Sequence, residues 1–233
     1  MRRKKHSIQT KIFSFLILFT FTSNLSSDIE DNIALHKEQF SEVALKIWEY
    51  AELGYQETKS SNLLASELKK EGFKITKGVA GIPTAFVAEF GSSGPVIGIL
   101  GEFDALPGLA QTNSPFKEVA VNDSGGGHAC GHHLFGAASA WAAVSIKEWL
   151  VENNIKGTVR FYGTPAEEGG SGKVYMVREG LFDDVDVVLH WHPDDVNSAN
   201  PKTSNSNKSA KFTFKGISAH AAGSPELGRS ALD

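Results

Sequence analysis

Cys130 is the only cysteine in 233 residues, so the chain forms no internal disulfide and one thiol is left for other chemistry. Basic residues are scarce once the N-terminus is passed. Of 23 Lys and Arg, five (Arg2, Arg3, Lys4, Lys5 and Lys11) fall in the first eleven positions; the other 18 face 27 acidic residues, a net of −9 beyond Ser27. No basic patch is left to neutralise phosphates, which excludes nucleic acid as a partner. Long apolar runs are missing apart from one, Ile12-Phe13-Ser14-Phe15-Leu16-Ile17-Leu18-Phe19-Thr20-Phe21-Thr22, and that run is too short to span a bilayer comfortably. Internal repeats are also absent.

Behind its basic start the apolar run has the form of a secretory signal. Residues 1–27 are therefore expected to be a signal peptide and the protein to be exported, periplasmic or secreted. The alternative is an uncleaved N-terminal membrane anchor, because Ser23-Asn24-Leu25-Ser26-Ser27 holds no clean small-x-small cleavage site. A free thiol is compatible with export if a metal protects it.

The densest chemistry lies in Gly125-Gly126-Gly127-His128-Ala129-Cys130-Gly131-His132-His133, where four metal-competent side chains fall within six residues. Three glycines permit tight turns. The Ala-rich, helically spaced stretch from Leu134 to about Val151 puts the cluster on a loop feeding a helix N-terminus, where a thiolate is favoured by the helix dipole and by a metal.

Periodicity predicts helices over 29–51, stopped by Gly54, and over 59–71. It predicts strands over 84–90 and 96–100 on either side of a Gly91-Ser92-Ser93-Gly94 turn. The helix from Leu134 follows, then a strand over 158–162, a helix near 173–178 and a strand over 185–189. This alternation implies an α/β layered domain with its site at the C-terminal ends of the strands. Residues 197–209, rich in Asn, Ser, Lys and Pro, read as a linker; 211–215 alternates as a half-buried strand, and a helix is expected near Pro225. A strand and one turn cannot make a core, so a second domain is expected to have only begun and the chain to be a fragment.

Carboxylates cluster where strands are predicted to end. Asp104, in Gly101-Glu102-Phe103-Asp104-Ala105-Leu106-Pro107-Gly108, is placed to orient a ligand histidine through its second ring nitrogen. In Gly163-Thr164-Pro165-Ala166-Glu167-Glu168-Gly169-Gly170, one carboxylate of the adjacent pair can bind metal while the other takes a proton. Alternation puts His190 and His192 of His190-Trp191-His192-Pro193 on one side, with one of them expected as a ligand. Ser218-Ala219-His220-Ala221-Ala222 adds a further histidine, and six of the eight histidines lie between His128 and His220.

Together with Trp48-Glu49-Tyr50-Ala51-Glu52-Leu53-Gly54-Tyr55-Gln56-Glu57, these stretches resemble, in order, the co-catalytic metallopeptidase and amidohydrolase family of aminoacylases, glutamate carboxypeptidases and auxin-conjugate hydrolases. Cys-Gly-His resembles its amidohydrolase branch. Glu-Phe-Asp-Ala-Leu-Pro with His-Trp-His-Pro is most similar to the p-aminobenzoyl-glutamate hydrolases of that branch. The resemblance implies a zinc-peptidase-like layered α/β catalytic domain, its N-terminal part over 28–203, and an incomplete α+β lid and dimerisation domain beginning over 204–233. It implies Cys130, His132, Glu168 and His192 as ligands of two divalent ions, Mn²⁺ or Zn²⁺, with Glu167 as general base. His220 is implied as the lid histidine that stabilises the oxyanion in a partner's site, and Asp104 and His128 as supporting residues. The substrate implied is an N-acyl amino acid or small dipeptide, cleaved at its amide bond, and the full-length form is implied to be a homodimer through the lid. Two departures stand out: His133 replaces an Asp of the auxin-conjugate relatives, and the family's last histidine ligand, in a returning C-terminal segment, has no counterpart here. Two rival expectations are a cysteine hydrolase with Cys130 as nucleophile and His128 or His132 as base, and a catalytically inactive truncated member.

Overall fold

Three stretches with apolar residues at helical spacing fold as helices in the computed structural model, which describes residues 29–200, 203 and 205–232. The expected signal segment, 1–27, lies outside the described residues. Helix α1, Lys37–Tyr50, buries Phe40, Val43, Ala44 and Ile47, and α2, Thr58–Lys70, buries Leu64, Ala65 and Leu68. The chain is already helical from residue 29, but a turn at His36 interrupts the expected single helix. It stops at Ala51, before Gly54, because Ala51 turns left-handed (φ 43°) and its N–H bonds the Ile47 carbonyl at 3.1 Å.

Strands β1 (Lys74–Lys77), β2 (Phe86–Phe90) and β3 (Val96–Gly101) follow, then a two-residue ladder of β4 (Leu106–Pro107) with β5 (Gly126–Gly127). Neither β1 nor this ladder was foreseen from periodicity; β1 is only four residues and mostly exposed. Helix α3 runs over His132–Glu152, followed by β6 (Thr158–Gly163), the short helices α4 (Glu167–Gly170) and α5 (Gly172–Arg178), and β7 (Val187–Leu189). The sheet order is β1-β2-β6-β3-β7, antiparallel from β1 to β6 and parallel across β6, β3 and β7. Thus β2 and β3, on either side of the 91–94 turn, are not neighbours: β6 lies between them.

Alternation sorts the strand residues onto two faces. Val159 and Phe161 of β6 join Phe86, Ala88 and Ile99 against α1, α2 and α3, while Tyr162 and Leu100 meet Met176 of α5 on the other face. Ile47, Leu64, Phe86 and Phe161 are fully buried, each contributing about 1.5–3 kcal/mol of transfer free energy. The chain divides into two units, one ending at Asp194 and one starting at Asp195, each described by itself. In the second, Ile217 and Arg229 exchange two backbone hydrogen bonds of 2.9 Å, and Pro225–Leu227 forms a single 3₁₀ turn in place of the expected helix. The expected strand over 211–215 does not form: its alternation meets no pairing strand among the described residues, and Phe212 and Phe214 are 80% and 61% exposed. No helix among the described residues is long and apolar enough to cross a membrane.

Candidate metal centre

Parallel pairing of β6, β3 and β7 brings the segments after them to one edge of the sheet. Gly101 lies opposite Gly163, and Ile99 opposite Leu189. Glu102 and Asp104 therefore emerge beside Glu167 and Glu168, and beside His190 and His192. The N-terminus of α3 arrives at the same edge. Gly131 takes a left-handed conformation (φ 77°), so the helix starts at His132, two residues earlier than periodicity suggests.

His132 is fully buried and its orientation is set by Asp104. Its Nδ1 lies 3.0 Å from the Asp104 carbonyl oxygen and 3.0 Å from Asp104 Oδ1. A carbonyl only accepts, so Nδ1 carries the proton and Nε2 faces the other side. There it meets Glu102 Oε2 at 2.9 Å, Glu168 Oε1 at 3.8 Å and Glu167 Oε2 at 3.9 Å. Burial opposes charge on this ring, but Asp104 and Glu102 outweigh it and lift His132 to about 10 in the metal-free protein.

The carboxylates differ in their surroundings. Glu102 is buried, which alone would raise its carboxyl; His132, His190 and a Lys173 ion pair instead hold it well below the ordinary range. Glu168 donates its backbone N–H to Asp104 Oδ2 at 2.9 Å, and burial keeps its carboxyl above the usual value against the pull of His132. Glu167 has the most exposed side chain of the group, 44%.

Cys130 Sγ lies 3.4 Å from His192 Nε2. His192 Nδ1 is 2.8 Å from the Pro193 carbonyl, which again fixes the proton there and turns Nε2 to the thiol. Burial, and then the nearby charges of Glu168, Glu167 and Glu102, push the Cys130 thiol up to about 12. The helix end that should favour a thiolate is outweighed by these carboxylates. His190 sits 3.8 Å from Glu102 Oε1 with its ring edge-on to Phe135, whose ring also contacts His132, Trp191 and His192. His128 points elsewhere: its Nε2 meets the Ile47 carbonyl at 3.0 Å, and burial with neighbouring His133 pushes it down to about 4. In the second unit, His220 Nδ1 accepts the N–H groups of Ala222 and Gly223, at 3.2 and 2.9 Å.

Ligand atoms of Cys130, His132 and His192 lie within 4.8 Å of one another, as do those of Glu102, His132 and Glu167. The two groups share His132. Glu102 Oε2 and His132 Nε2 are buried and face only each other, at 2.9 Å without hydrogen-bond geometry, and Glu168 Oε1 is buried with no hydrogen-bond partner. A cation among them would satisfy all three, and thiolate, imidazole and carboxylate form a donor set for a borderline or hard divalent ion. The residues therefore fit a metal. Sequence reasoning missed Glu102, Lys173 and Phe135 as parts of this centre. Glu102 had a signal, since it directly follows a predicted strand; Lys173 and Phe135 had none.

An α/β sheet with a His, Cys and carboxylate cluster at the C-terminal edge of its parallel strands is the arrangement of a metallohydrolase catalytic domain. The sequence matches peptidase family M20/M25/M40 over residues 98–221, and the chain belongs to that family. It is 48% identical over 205 residues to a p-aminobenzoyl-glutamate hydrolase subunit of Escherichia coli, covering 88% of this chain and 43% of that protein. It is 33% identical to hippurate hydrolase of Campylobacter jejuni, covering 66% and 39%. The chain thus spans about two fifths of the length of these curated relatives. Among solved structures it resembles the Bacillus subtilis YxeP protein, a dinuclear metal-binding peptidase from the M20 family, with TM-score 0.53 and 31% identity over 69% of this chain and 44% of that one. The fold is also that of the aminobenzoyl-glutamate utilization protein of Klebsiella pneumoniae, with TM-score 0.54 and 18% identity over 88% and 56%.

Proposed function

We propose that this chain carries the metal centre of an amidohydrolase that cleaves the amide bond of N-acyl amino acids or small dipeptides, aminobenzoyl-glutamate-like compounds among them. The observation that carries this reading is the sharing of His132 by two ligand groups, the second of which includes Glu167, the more exposed carboxylate of the acidic turn. Cys130, His132, Glu168 and His192 are the residues that would hold two divalent ions, Mn²⁺ or Zn²⁺. Bound there, such ions make a water nucleophile available at neutral pH and neutralise charge developing on a carbonyl oxygen. Glu167 Oε2 takes the proton of the attacking water as it adds to the amide carbon. It returns that proton to the nitrogen as the C–N bond breaks, so the carboxylate ends as it began. Asp104 keeps His132 in the tautomer that presents Nε2.

The cleft of about 230 Å³ beside Glu168, walled by Leu53, Tyr55, Ala105 and Pro107, has room for a small acyl or aryl group. The relatives' substrates support this choice: p-aminobenzoyl-glutamate and hippurate are both aryl-acyl amino acids. By the same family reasoning, His220 is assigned to the oxyanion and the full protein to a homodimer formed through the lid; the basic start and apolar run of residues 1–27 assign them to export, with a membrane anchor as the alternative. Cys130 as a nucleophile is disfavoured, because burial and its carboxylate neighbours oppose the free thiolate that such catalysis needs.

The test is hydrolysis of p-aminobenzoyl-glutamate and hippurate by protein stripped with chelator and reloaded with Mn²⁺ or Zn²⁺. Activity that follows metal content supports the reading. Activity that survives chelation and is lost on thiol alkylation would favour the cysteine mechanism, and metal-loaded protein that hydrolyses neither would favour the inactive member.

A further inference from the structure

Glu57 is a wholly buried carboxylate that the proposed chemistry does not use. It takes two donors, the backbone N–H of Ala166 at 2.8 Å and the hydroxyl of Thr84 at 3.0 Å, and no cation among the described residues is paired with it. An apolar side chain of that volume would be cheaper in the same space, so the carboxylate is there for what it holds. What it holds is unusual backbone: Ala166 is left-handed (φ 58°, ψ 43°), a conformation costing a residue with a Cβ roughly 1–2 kcal/mol. The next two residues are Glu167 and Glu168.

Neighbours of Glu57 grip the same turn. Gly54 packs on Ala166 so closely that a Cβ there would lie 3.1 Å from the Ala166 Cα. Tyr55 donates its hydroxyl to the Gly170 carbonyl. The segment also reaches the other loops of the centre: the Glu52 carbonyl accepts the Ala105 N–H at 2.8 Å, and the Ala51 carbonyl accepts the Ser124 hydroxyl at 2.7 Å.

We propose that Glu57 is a positioning residue for the acidic turn: by accepting the Ala166 N–H it fixes the backbone from which Glu167 and Glu168 project, with Gly54 and Tyr55 bracing the turn's two ends. This rests on the reading that those two carboxylates do the work of the site. Its consequence is that metal affinity depends on the reach of the residue 57 acceptor and not on its charge.

The test compares Glu57→Gln, Glu57→Asp and Glu57→Leu in the whole chain. Co²⁺ binding is followed by its thiolate and d–d absorption, and hydrogen exchange is followed over residues 164–172. Glu57→Gln keeps an acceptor oxygen at the same reach and should match the wild type in both. Glu57→Asp keeps the charge but withdraws the oxygen by one methylene, and Glu57→Leu removes it. Both should weaken Co²⁺ binding ~10–100-fold, the size of effect typical of residues that orient ligands, and speed exchange at Ala166 and Glu168. Where turnover is measured, kcat should fall in these two variants while KM is kept. Wild-type affinity and exchange in Glu57→Asp would overturn the proposal, as would a loss in Glu57→Gln equal to that in Glu57→Asp. If Glu57→Leu does not fold, the Asp and Gln pair decides. None of these readouts needs a substrate, so a wild-type protein that fails to hydrolyse amides counts against the function alone. If it binds no Co²⁺, the exchange arm still decides the positioning role.

Discussion

Two pairs of carboxylates follow two paired parallel strands of this sheet, at the same height and at the same edge, yet they are built differently. Glu102 and Asp104, after β3, are 2% and 1% exposed, and both are engaged with His132. Lys173 and His190 add to Glu102, and the Glu168 N–H adds to Asp104. Glu167 and Glu168, after β6, stand on a left-handed residue in a four-residue helix, with side chains 44% and 17% exposed. A buried carboxylate pressed against a histidine orients that ring; one that keeps an open side can meet water and give or take a proton. Burial, more than residue type or position on the sheet, separates the two duties.

Glu167→Gln tests the open pair. It should cut turnover ~10²–10⁴-fold while bound metal, measured by elemental analysis, stays near wild type. Glu168→Gln should instead lose metal; the opposite pattern would exchange their roles. The distances of 3.9 and 3.8 Å to His132 Nε2 do not separate them, so exposure is the ground for the assignment. Asp104→Asn tests the buried pair: with the carboxylate charge on His132 Nδ1 removed, metal affinity measured by competition with a chelating dye should fall ~10–100-fold. An unchanged affinity would mean that the backbone carbonyl of Asp104 suffices to orient the ring.

A smaller contrast separates the two histidines after β7. His192→Ala should lower metal occupancy more than His190→Ala, because His192 Nε2 faces Cys130 at 3.4 Å while His190 faces Glu102 at 3.8 Å. Equal losses would place both in the metal shell.

The mildest effect expected is on the pH dependence of metal-free stability. His132 is raised from 6.5 to about 10, so its contribution is fully present below 6.5 and is lost as pH rises through about 10. His128 and His133 are lowered from 6.5 to about 4, so theirs is present above 6.5 and is lost as pH falls through about 4. The thermal stability of the metal-free protein should therefore fall on both sides. A melting temperature flat across this range would mean that the three rings titrate alike in the folded and unfolded chains.

Short-range signals carried much of the reading from sequence. Four helices, four strands and the His-Cys cluster declared themselves within windows of ten residues or so. Cys130 and His132, and the pairs Glu167–Glu168 and His190–His192, stood out for their types and their turns; the family resemblance chose Glu168 and His192 within the pairs, and the fold brings all of them to one edge. What local pattern could not convey was pairing. That β6 separates β2 from β3 depends on side chains some sixty residues apart, such as Val159 and Phe161 packing beside Phe86 and Ile99. Glu102 gained its partners only through that register and through α5, which delivers Lys173. The opposite failure was 211–215, where clean alternation predicts a strand and no partner among the described residues pairs with it. Period-two patterning marks two faces but supplies no hydrogen-bonding neighbour.

The strand order has a consequence for the order in which the chain is made. While β2 and β3 emerge during synthesis, the gap between them must stay open until Gly163 has been added, since β6 fills it. Until then Glu102, Asp104 and the Cys130 loop exist without the sheet edge that gathers them, and a β2–β3 hairpin, which the short 91–95 connection makes cheap to close, would have to open for β6 to enter. A nascent chain halted before Thr158 should leave the Cys130 thiol open to alkylation, and one extended past His192 should shield it. On that order of events the metal centre is gathered only once β6 has been made.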